Sequence, residues 1–379
     1  MRRLFVLVAA VILVDTMFYA AIAPLLPEYS ENLGLSKAAA GILSASYAAG
    51  TLIAALPSGW LAARIGVRPT MLIGLALLSC SSVAFAFADS VVLLDVARFA
   101  QGVGGACAWA GGLTWLLVSV PRGRRGQLIG AAVSAAIGGI LLGPVLGGAA
   151  TVVGPEPVFV GVGAVAAALA AWVAATPGAP RSPVPAIGTV VRRAFRRPVL
   201  LAFWLVALPS VFSGAFNVLV PLRLDQLGAT GVGIGAFFLA LAALEGVLSP
   251  AVGRLSDRRE RMAPIRAGLI VGVAATALLP VPGSVAALAA VVLLVILSMA
   301  LIFTPAMALL SDESERAGLD LAFATALVNL SWAGGQMVGG SALSRLAEAT
   351  ADAWAFALAA VLFAITAAAL FAARRRASA

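Results

Sequence analysis

Residues 4–26 read LFVLVAAVILVDTMFYAAIAPLL, 23 positions with one charge, Asp15. A bilayer core needs about 20 consecutive apolar residues per helix, so this stretch is long enough to cross one. Its reading extends to the whole chain. Of 379 residues, 62% are apolar, 11% are charged, and the mean hydropathy is +1.06. Water-soluble domains average about 45–50% apolar and about 25% charged residues. That excludes a soluble enzyme, a nucleic-acid binder and a disordered chain. An outer-membrane barrel would alternate apolar and polar residues along its strands, which these runs do not.

Eleven further runs of similar length lie near 39–58, 70–88, 91–118, 126–150, 156–176, 199–222, 231–252, 265–282, 285–310, 318–343 and 351–373. The expectation is an all-α membrane protein of 12 transmembrane helices in two six-helix bundles related by pseudo-symmetry. Residues 1–176 would form the first bundle, 177–198 a proline- and arginine-rich cytoplasmic linker, and 199–379 the second. Arg192, Arg193, Arg196 and Arg197 could place an amphipathic helix of the linker on the membrane surface. With the N-terminus placed inside, 21 of the 25 basic residues fall on the cytoplasmic side and 3 (Lys37, Arg223, Arg345) outside, with Arg98 within a span. This bias predicts a multi-pass protein of the plasma membrane with both termini cytoplasmic. It also accounts for the net charge of +9 without nucleic acid. Arg2, Arg3 and the run behind them resemble a signal peptide, but Asp15 and Pro24 argue against cleavage. Cys80 and Cys107 lie in apolar runs and read as buried small hydrophobes, not a disulfide.

A shift of 194 residues superposes landmarks. Pro27 falls on Pro221, Leu33-Gly34 on Leu227-Gly228, Gly41 on Gly235, and Gly59, Leu61 and Arg64 on Gly253, Leu255 and Arg258. Six spans separate the copies, so the halves share one orientation. Parallel repeats of this kind place a transported substrate at the repeat interface near the midplane.

Residues 59–71, GWLAARIGVRPTM, resemble the loop motif of the major facilitator superfamily at Gly59, Leu61, Arg64, Gly66 and Arg68. Ala63 stands where the family usually has Asp; the second copy keeps Asp257 beside Arg258. The resemblance implies a gate. The residues alone equally fit a tight turn with positive-inside charge. Residues 94–106, LDVARFAQGVGGA, are similar to the family's fourth-helix motif at Leu94, Arg98, Gln101, Gly102 and Gly104. Arg98 either finds a partner inside the protein or snorkels to the outer interface. Gly130, Gly139, Gly143, Pro144, Gly147 and Gly148 resemble the fifth-helix motif of the drug:proton antiporters, or plain glycine-rich packing. Asp15, Met17, Pro24 and Pro27 are similar to the first helix of the vesicular amine transporters.

With no histidine, proton chemistry inside the membrane would run on carboxylates. Two acids lie well within spans, Asp15 and Glu245, and intramembrane acids are functional candidates by default. They are the expected proton-coupling groups, with Arg98 beside them. Phe18 and Tyr19 share a helix face with Asp15, and Gln101 follows Arg98. Ser210, Ser213 and Asn217 form one polar stripe, and Thr325, Asn329, Trp332 and Gln336 another. These stripes either line a common cavity that binds substrate or hold helices together. The resemblance therefore implies a monomeric carrier driven by the proton gradient, without a cofactor or metal, exporting small amphiphilic or cationic compounds. A carrier for a neutral or anionic metabolite, such as a sugar, nucleoside or amino acid, stays open. A membrane enzyme, receptor or ATP-driven pump has no nucleotide loop or extramembrane domain to stand on.

Overall fold

The computed structural model describes residues 2–119, 125–179, 192–258, 261–319 and 321–378. Each of the twelve apolar runs is helical, and no strand occurs among the described residues. The helices are α1 (Arg2–Ala20), α2 (Leu26–Leu33), α3 (Lys37–Ile65), α4 (Val67–Ala86), α5 (Val91–Val118), α6 (Arg125–Val153) and α7 (Pro155–Ala175). They continue as α8 (Arg197–Gln226), α9 (Gly231–Arg258), α10 (Met262–Leu278), α11 (Val285–Arg316), α12 (Leu321–Val338), α13 (Ser344–Ala349) and α14 (Asp352–Ser378). Ten helical segments among the described residues are long and apolar enough to cross a membrane. Their outward faces are apolar, with Ile53, Val92, Val152 and Val247 each more than half exposed. Apolar surface of this extent, on helices of membrane-crossing length, suits contact with lipid.

The 194-residue repeat reappears in the turns. α3 begins at Lys37 and α9 at Gly231; α5 begins at Val91 and α11 at Val285. Ser90 and Ser284 cap α5 and α11 alike, each accepting the N–H of the third residue on, at Leu93 and Ala287. Gly34 and Gly228 both take positive φ, 63° and 86°.

The structure departs from the sequence reading in two places. The first span is not one helix. α1 ends at Ala20, a 3₁₀ turn follows at Ala23–Leu25, and α2 resumes at Leu26. Pro24 has no N–H to donate to a carbonyl four residues back, so the ladder opens there. Cys80 is exposed, not buried, on an outward face of α4; Cys107 is buried, and both thiols are free. A thiol behaves as a small apolar group, so lipid accepts it as readily as a core does.

The chain divides into two compact units. The first holds Met1–Leu35, Ile42–Ala186 and Thr230–Leu239; the second holds Ser36–Gly41, Ile187–Ala229 and Ala240–Ala379. Within the first, α6 lies in backbone contact with α1: a Cβ at Gly139, Gly143 or Gly147 would overlap Thr16, Ala20 or the Ala21 carbonyl. Small residues allow this approach. Phe18, Phe85 and Phe159 form an aromatic core, with centroids 4.8–5.5 Å apart. Within the second unit, α12 packs on α8 through Gly335, whose Cβ would lie 2.6 Å from the Ala207 carbonyl, and Gly339. A single π turn, Gly339–Leu343, follows α12. Of the linker, 180–191 fall outside the described residues, while 192–194 make one helical turn.

Candidate functional site

In the first unit, α1, α3 and α5 bring two opposite charges into the interior. Asp15 is 0% exposed and Arg98 1%. Arg98 therefore does not snorkel. It also makes no ion pair with Asp15 within salt-bridge distance. Instead its guanidinium caps the broken first helix: Nη1 donates to the Phe18 carbonyl (3.3 Å) and Nη2 to the Tyr19 carbonyl (3.1 Å). The last carbonyls of a helix lack intrahelical partners and carry its negative dipole end, so a cation is stabilised there. Nη1 also donates to Gln101 Oε1 at 2.7 Å, one turn further along α5. The rings of Tyr47, Phe18 and Tyr19 surround the same guanidinium, 5.2, 5.9 and 5.9 Å from their centroids. Cation–π attraction is strongest in a desolvated setting of this kind.

Asp15 is held by two donors that sequence reading missed. The Tyr47 hydroxyl donates to Oδ2 at 3.2 Å and Trp109 Nε1 donates to the same oxygen at 3.3 Å. Gly105 makes room: a Cβ there would lie 2.7 Å from Asp15 Oδ1 and 3.0 Å from both Oδ2 and the Tyr47 hydroxyl. One signal was available. Arg98, Gln101, Gly105 and Trp109 recur at spacings of three and four, which places them on one face of α5. Tyr47 offered none of its own. Asp15 Oδ1, Gln101 Nε2 and Arg98 Nε are buried without a hydrogen-bond partner among the described residues. Phe18 belongs to the aromatic core described above, and Tyr19 stacks 4.8 Å from Tyr47. Of the expected first-unit residues, the structure thus assembles Asp15, Phe18, Tyr19, Arg98 and Gln101 in one place.

The second unit holds the other candidates. Glu245 is half-buried on α9, with no hydrogen bond or ion pair among the described residues. Gln336 Nε2 donates to Ser213 Oγ at 3.2 Å, which joins the polar stripes of α12 and α8. Asn217, Asn329 and Trp332 are half-buried. Ser210 bonds back to the Val206 carbonyl of its own helix. The fold places Glu245 in no hydrogen-bonded group with these stripes.

The loop-motif residues divide by role. Gly66 has φ of 102°, a conformation that favours glycine, and turns the chain from α3 into α4. Arg68 donates to the Ala174 carbonyl at the end of α7. Arg64 is exposed, 4.9 Å over the Trp60 ring. A Cβ at Gly59 would meet open space, so packing does not require glycine there. The side chains of Asp257 and Arg258 lie outside the described ones. Of the fifth-helix motif, Gly139, Gly143 and Gly147 pack on α1. Gly148 and the Pro144 carbonyl face Gly235, whose Cβ would lie 2.7 Å from that oxygen.

At the far edge of the second unit, the Glu348 carboxylate accepts the Ala38 N–H at 2.6 Å, and Lys37 pairs with Asp352 at 2.5 Å. The Ser36 hydroxyl and the Ala38 amide hold the Glu348 carboxyl below its ordinary pKa.

Comparison with known proteins agrees with this architecture. A family model described as Major Facilitator Superfamily matches residues 8–333. The chain is similar to the MFS-type transporter ppzB of Metarhizium rileyi, 38% identical over 104 residues, covering 27% of this chain and 22% of that one. It is also similar to the synaptic vesicular amine transporter of Mus musculus, 33% identical over 122 residues, covering 32% of this chain and 24% of that one. The matches thus span less than a third of these relatives' own length. A solved bacterial homologue of the human lysosomal transporter Spinster, inward-facing and unoccupied, aligns with TM-score 0.78 at 16% identity over 98% of this chain and 96% of that one, a likeness of fold. With ten helices among the described residues long and apolar enough to cross a membrane, a repeat of six and a family model matched along most of its length, the chain belongs to the Major Facilitator Superfamily.

Proposed function

We propose that this carrier exports small amphiphilic or cationic compounds in exchange for protons, by alternating access and without a cofactor. The observation that supports it most is Asp15: a fully buried carboxylate with one oxygen held by two donors and the other without a partner among the described residues. Such a group accepts either a proton or a cationic substrate, and competition between the two couples their fluxes. Arg98, fixed nearby by backbone carbonyls, keeps a compensating charge in the site through the cycle. Glu245 is a second candidate carboxylate, half-buried within a span and without a hydrogen bond or ion pair among the described residues. The glycine-rich α6 and the likeness to a vesicular amine transporter favour export of organic cations. The reading places a monomer in the plasma membrane with cytoplasmic termini, as the arginine distribution favours, and treats 1–176 and 199–379 as repeat halves joined by 177–198.

A second reading has one observation of its own. Asp15 and Arg98 together leave the site without net charge, which also suits a neutral or zwitterionic metabolite. Inside-out vesicles with an acid interior separate the two. Lipophilic cations should alkalinise the interior of wild-type vesicles, and Asp15→Asn should abolish the response. Silence toward all cations in folded protein would favour the metabolite carrier. Full proton-driven efflux in both Asp15→Asn and Glu245→Gln would overturn the coupling assignment.

A further inference from the structure

We infer that the arginine-bearing ends of α8 and α14 form a seat for one anionic phospholipid, its phosphate held between Arg197 and Arg374 and an acyl chain in the crevice between the two helices. The inference goes beyond the transport reading above and does not depend on which compound is carried.

The two helices run antiparallel. Trp204 Nε1 on α8 donates to Thr366 Oγ1 on α14 at 3.1 Å, and further along Phe212 lies 6.0 Å from Phe363 and 6.3 Å from Phe356. Residue numbers thus rise along one helix as they fall along the other. At 1.5 Å per residue, Arg197 lies about 10 Å from Trp204 along α8, and Arg374 about 12 Å from Thr366 along α14. The two arginines therefore reach a similar depth. That depth is a membrane boundary, because one apolar span begins at Arg197 and the other ends at Arg375.

Past the Trp204–Thr366 bond the helices separate. Arg197, Leu200 and Leu201 share the Trp204 face of α8, and Ala369 and Ala373 share the Thr366 face of α14. These faces meet at the hydrogen bond, so continued contact would bury them. Instead Leu200 and Leu201 are each 42% exposed, and Ala369, Ala373 and both arginines are exposed. Leu370, next round the helix, turns inward and is buried. The result is a wedge with apolar walls, a Trp204–Thr366 floor and a basic rim. Beside it, another flank of α14 carries an open groove of about 440 Å³, lined among the described residues by Ala368, Phe371, Ala372 and Arg375.

Charge selects the occupant. α8 has no acid before Asp225 and α14 none after Asp352, so arginine alone charges this end of both helices. On α11, which packs on α8, Asp312 and Glu313 are committed to Arg261 and Arg316. The start of α8 is fixed in place: Arg193 donates to the Gly318 carbonyl beyond α11, and Pro198 presets the first turn. A phosphate accepts from the guanidinium N–H groups of both rim arginines, while its acyl chain covers the exposed leucines. A zwitterionic lipid brings its own cation to the rim and gains less. Each arginine near anionic lipid is worth about fivefold in affinity, so losing both should weaken binding roughly twenty-five-fold.

The test is native mass spectrometry of the purified full chain in detergent, titrated with dioleoyl phosphatidylglycerol or dioleoyl phosphatidylcholine. One phosphatidylglycerol bound at least fivefold more tightly than phosphatidylcholine is the expected result. Arg197→Gln with Arg374→Gln should remove that preference. Arg2→Gln with Arg3→Gln, which takes the same charge from α1, should keep it. Excess glycerol 3-phosphate, the head group without chains, should displace nothing. A wild-type ratio below fivefold would overturn the inference, and so would a preference that survives in a folded Arg197→Gln, Arg374→Gln protein. Equal loss in the Arg2→Gln, Arg3→Gln protein would mean diffuse charge and no seat. Displacement by glycerol 3-phosphate would mean a soluble anion and also refute it. The wild-type ratio and the glycerol 3-phosphate competition decide the matter even if the double variant fails to fold.

Discussion

Gly105→Ala adds one methyl group, and the structure states what that methyl meets. The three nearest atoms are Asp15 Oδ1 at 2.7 Å, Asp15 Oδ2 at 3.0 Å and the Tyr47 hydroxyl at 3.0 Å. Ordinary contact starts at 3.4 Å, so the carboxylate must give by about 0.7 Å. Its bonds to Tyr47 and Trp109 are already 3.2 and 3.3 Å long. A further displacement of that size takes at least one beyond hydrogen-bond range, which ends near 3.5 Å. Losing one donor to a buried charge costs about 1.5–3 kcal/mol. Affinity for a lipophilic cation should therefore fall about tenfold to a hundredfold. The fold itself should survive, because alanine is the better helix former by about 1 kcal/mol and no backbone atom is among the three nearest neighbours. The assay pairs calorimetric affinity for benzyldimethylamine with a thermal melt of the same preparation. Affinity within twofold of wild type, with the melt unchanged, would refute the view that Gly105 exists to seat Asp15.

Three further outcomes are expected. Arg98→Lys should cost several degrees in the melt, because a single ammonium cannot span the Phe18 and Tyr19 carbonyls and Gln101 together; an unchanged melt would refute the helix-capping role. Gly143→Val should prevent α1 and α6 from closing, since even a Cβ would overlap Ala20 and lie 2.8 Å from the Met17 carbonyl; the expected loss is several kcal/mol, read as loss of monodisperse protein in size-exclusion chromatography. Glu348 has its pKa lowered by Ser36 and Ala38, so the contact it makes is present above the ordinary carboxylate pKa and lost as pH falls through the lowered one. Hydrogen exchange at the Ala38 amide should be slower in wild type than in Glu348→Gln near neutral pH, and the difference should persist through the ordinary carboxylate range and vanish only at more acidic pH.

The Asp15 site shows how far residue patterns reach. Asp15 and Arg98 stood out because an ionisable group in an apolar run costs free energy wherever the chain goes, a fact independent of its neighbours. Arg98 was expected to find an internal partner or to snorkel. It found partners, but these are backbone carbonyls exposed by the break near Pro24, which side-chain patterns do not display. Tyr47 and Trp109 read as ordinary aromatic residues of apolar spans. Their hydrogen bonds to Asp15 cross 32 and 94 residues of chain. Gly105 was visible only as one of many glycines in a chain that has 39. The fifth-helix glycines were legible as packing residues, but not that three of them lie on α1 while Gly148 turns toward the start of α9.

Hydropathy, charge bias and the 194-residue repeat are properties of the chain read along its length. They determined the membrane class, the all-helical fold, the duplication and the family motifs, because lipid imposes the same apolar requirement on every span. Tertiary structure alone decided which donors hold Asp15, that Arg98 caps a broken helix beside three aromatic rings, and that Oδ1 has no partner among the described residues. Those choices depend on which faces of separate helices meet, and on glycines whose missing side chains let backbones touch. Such contacts leave no periodic trace in the residues that make them.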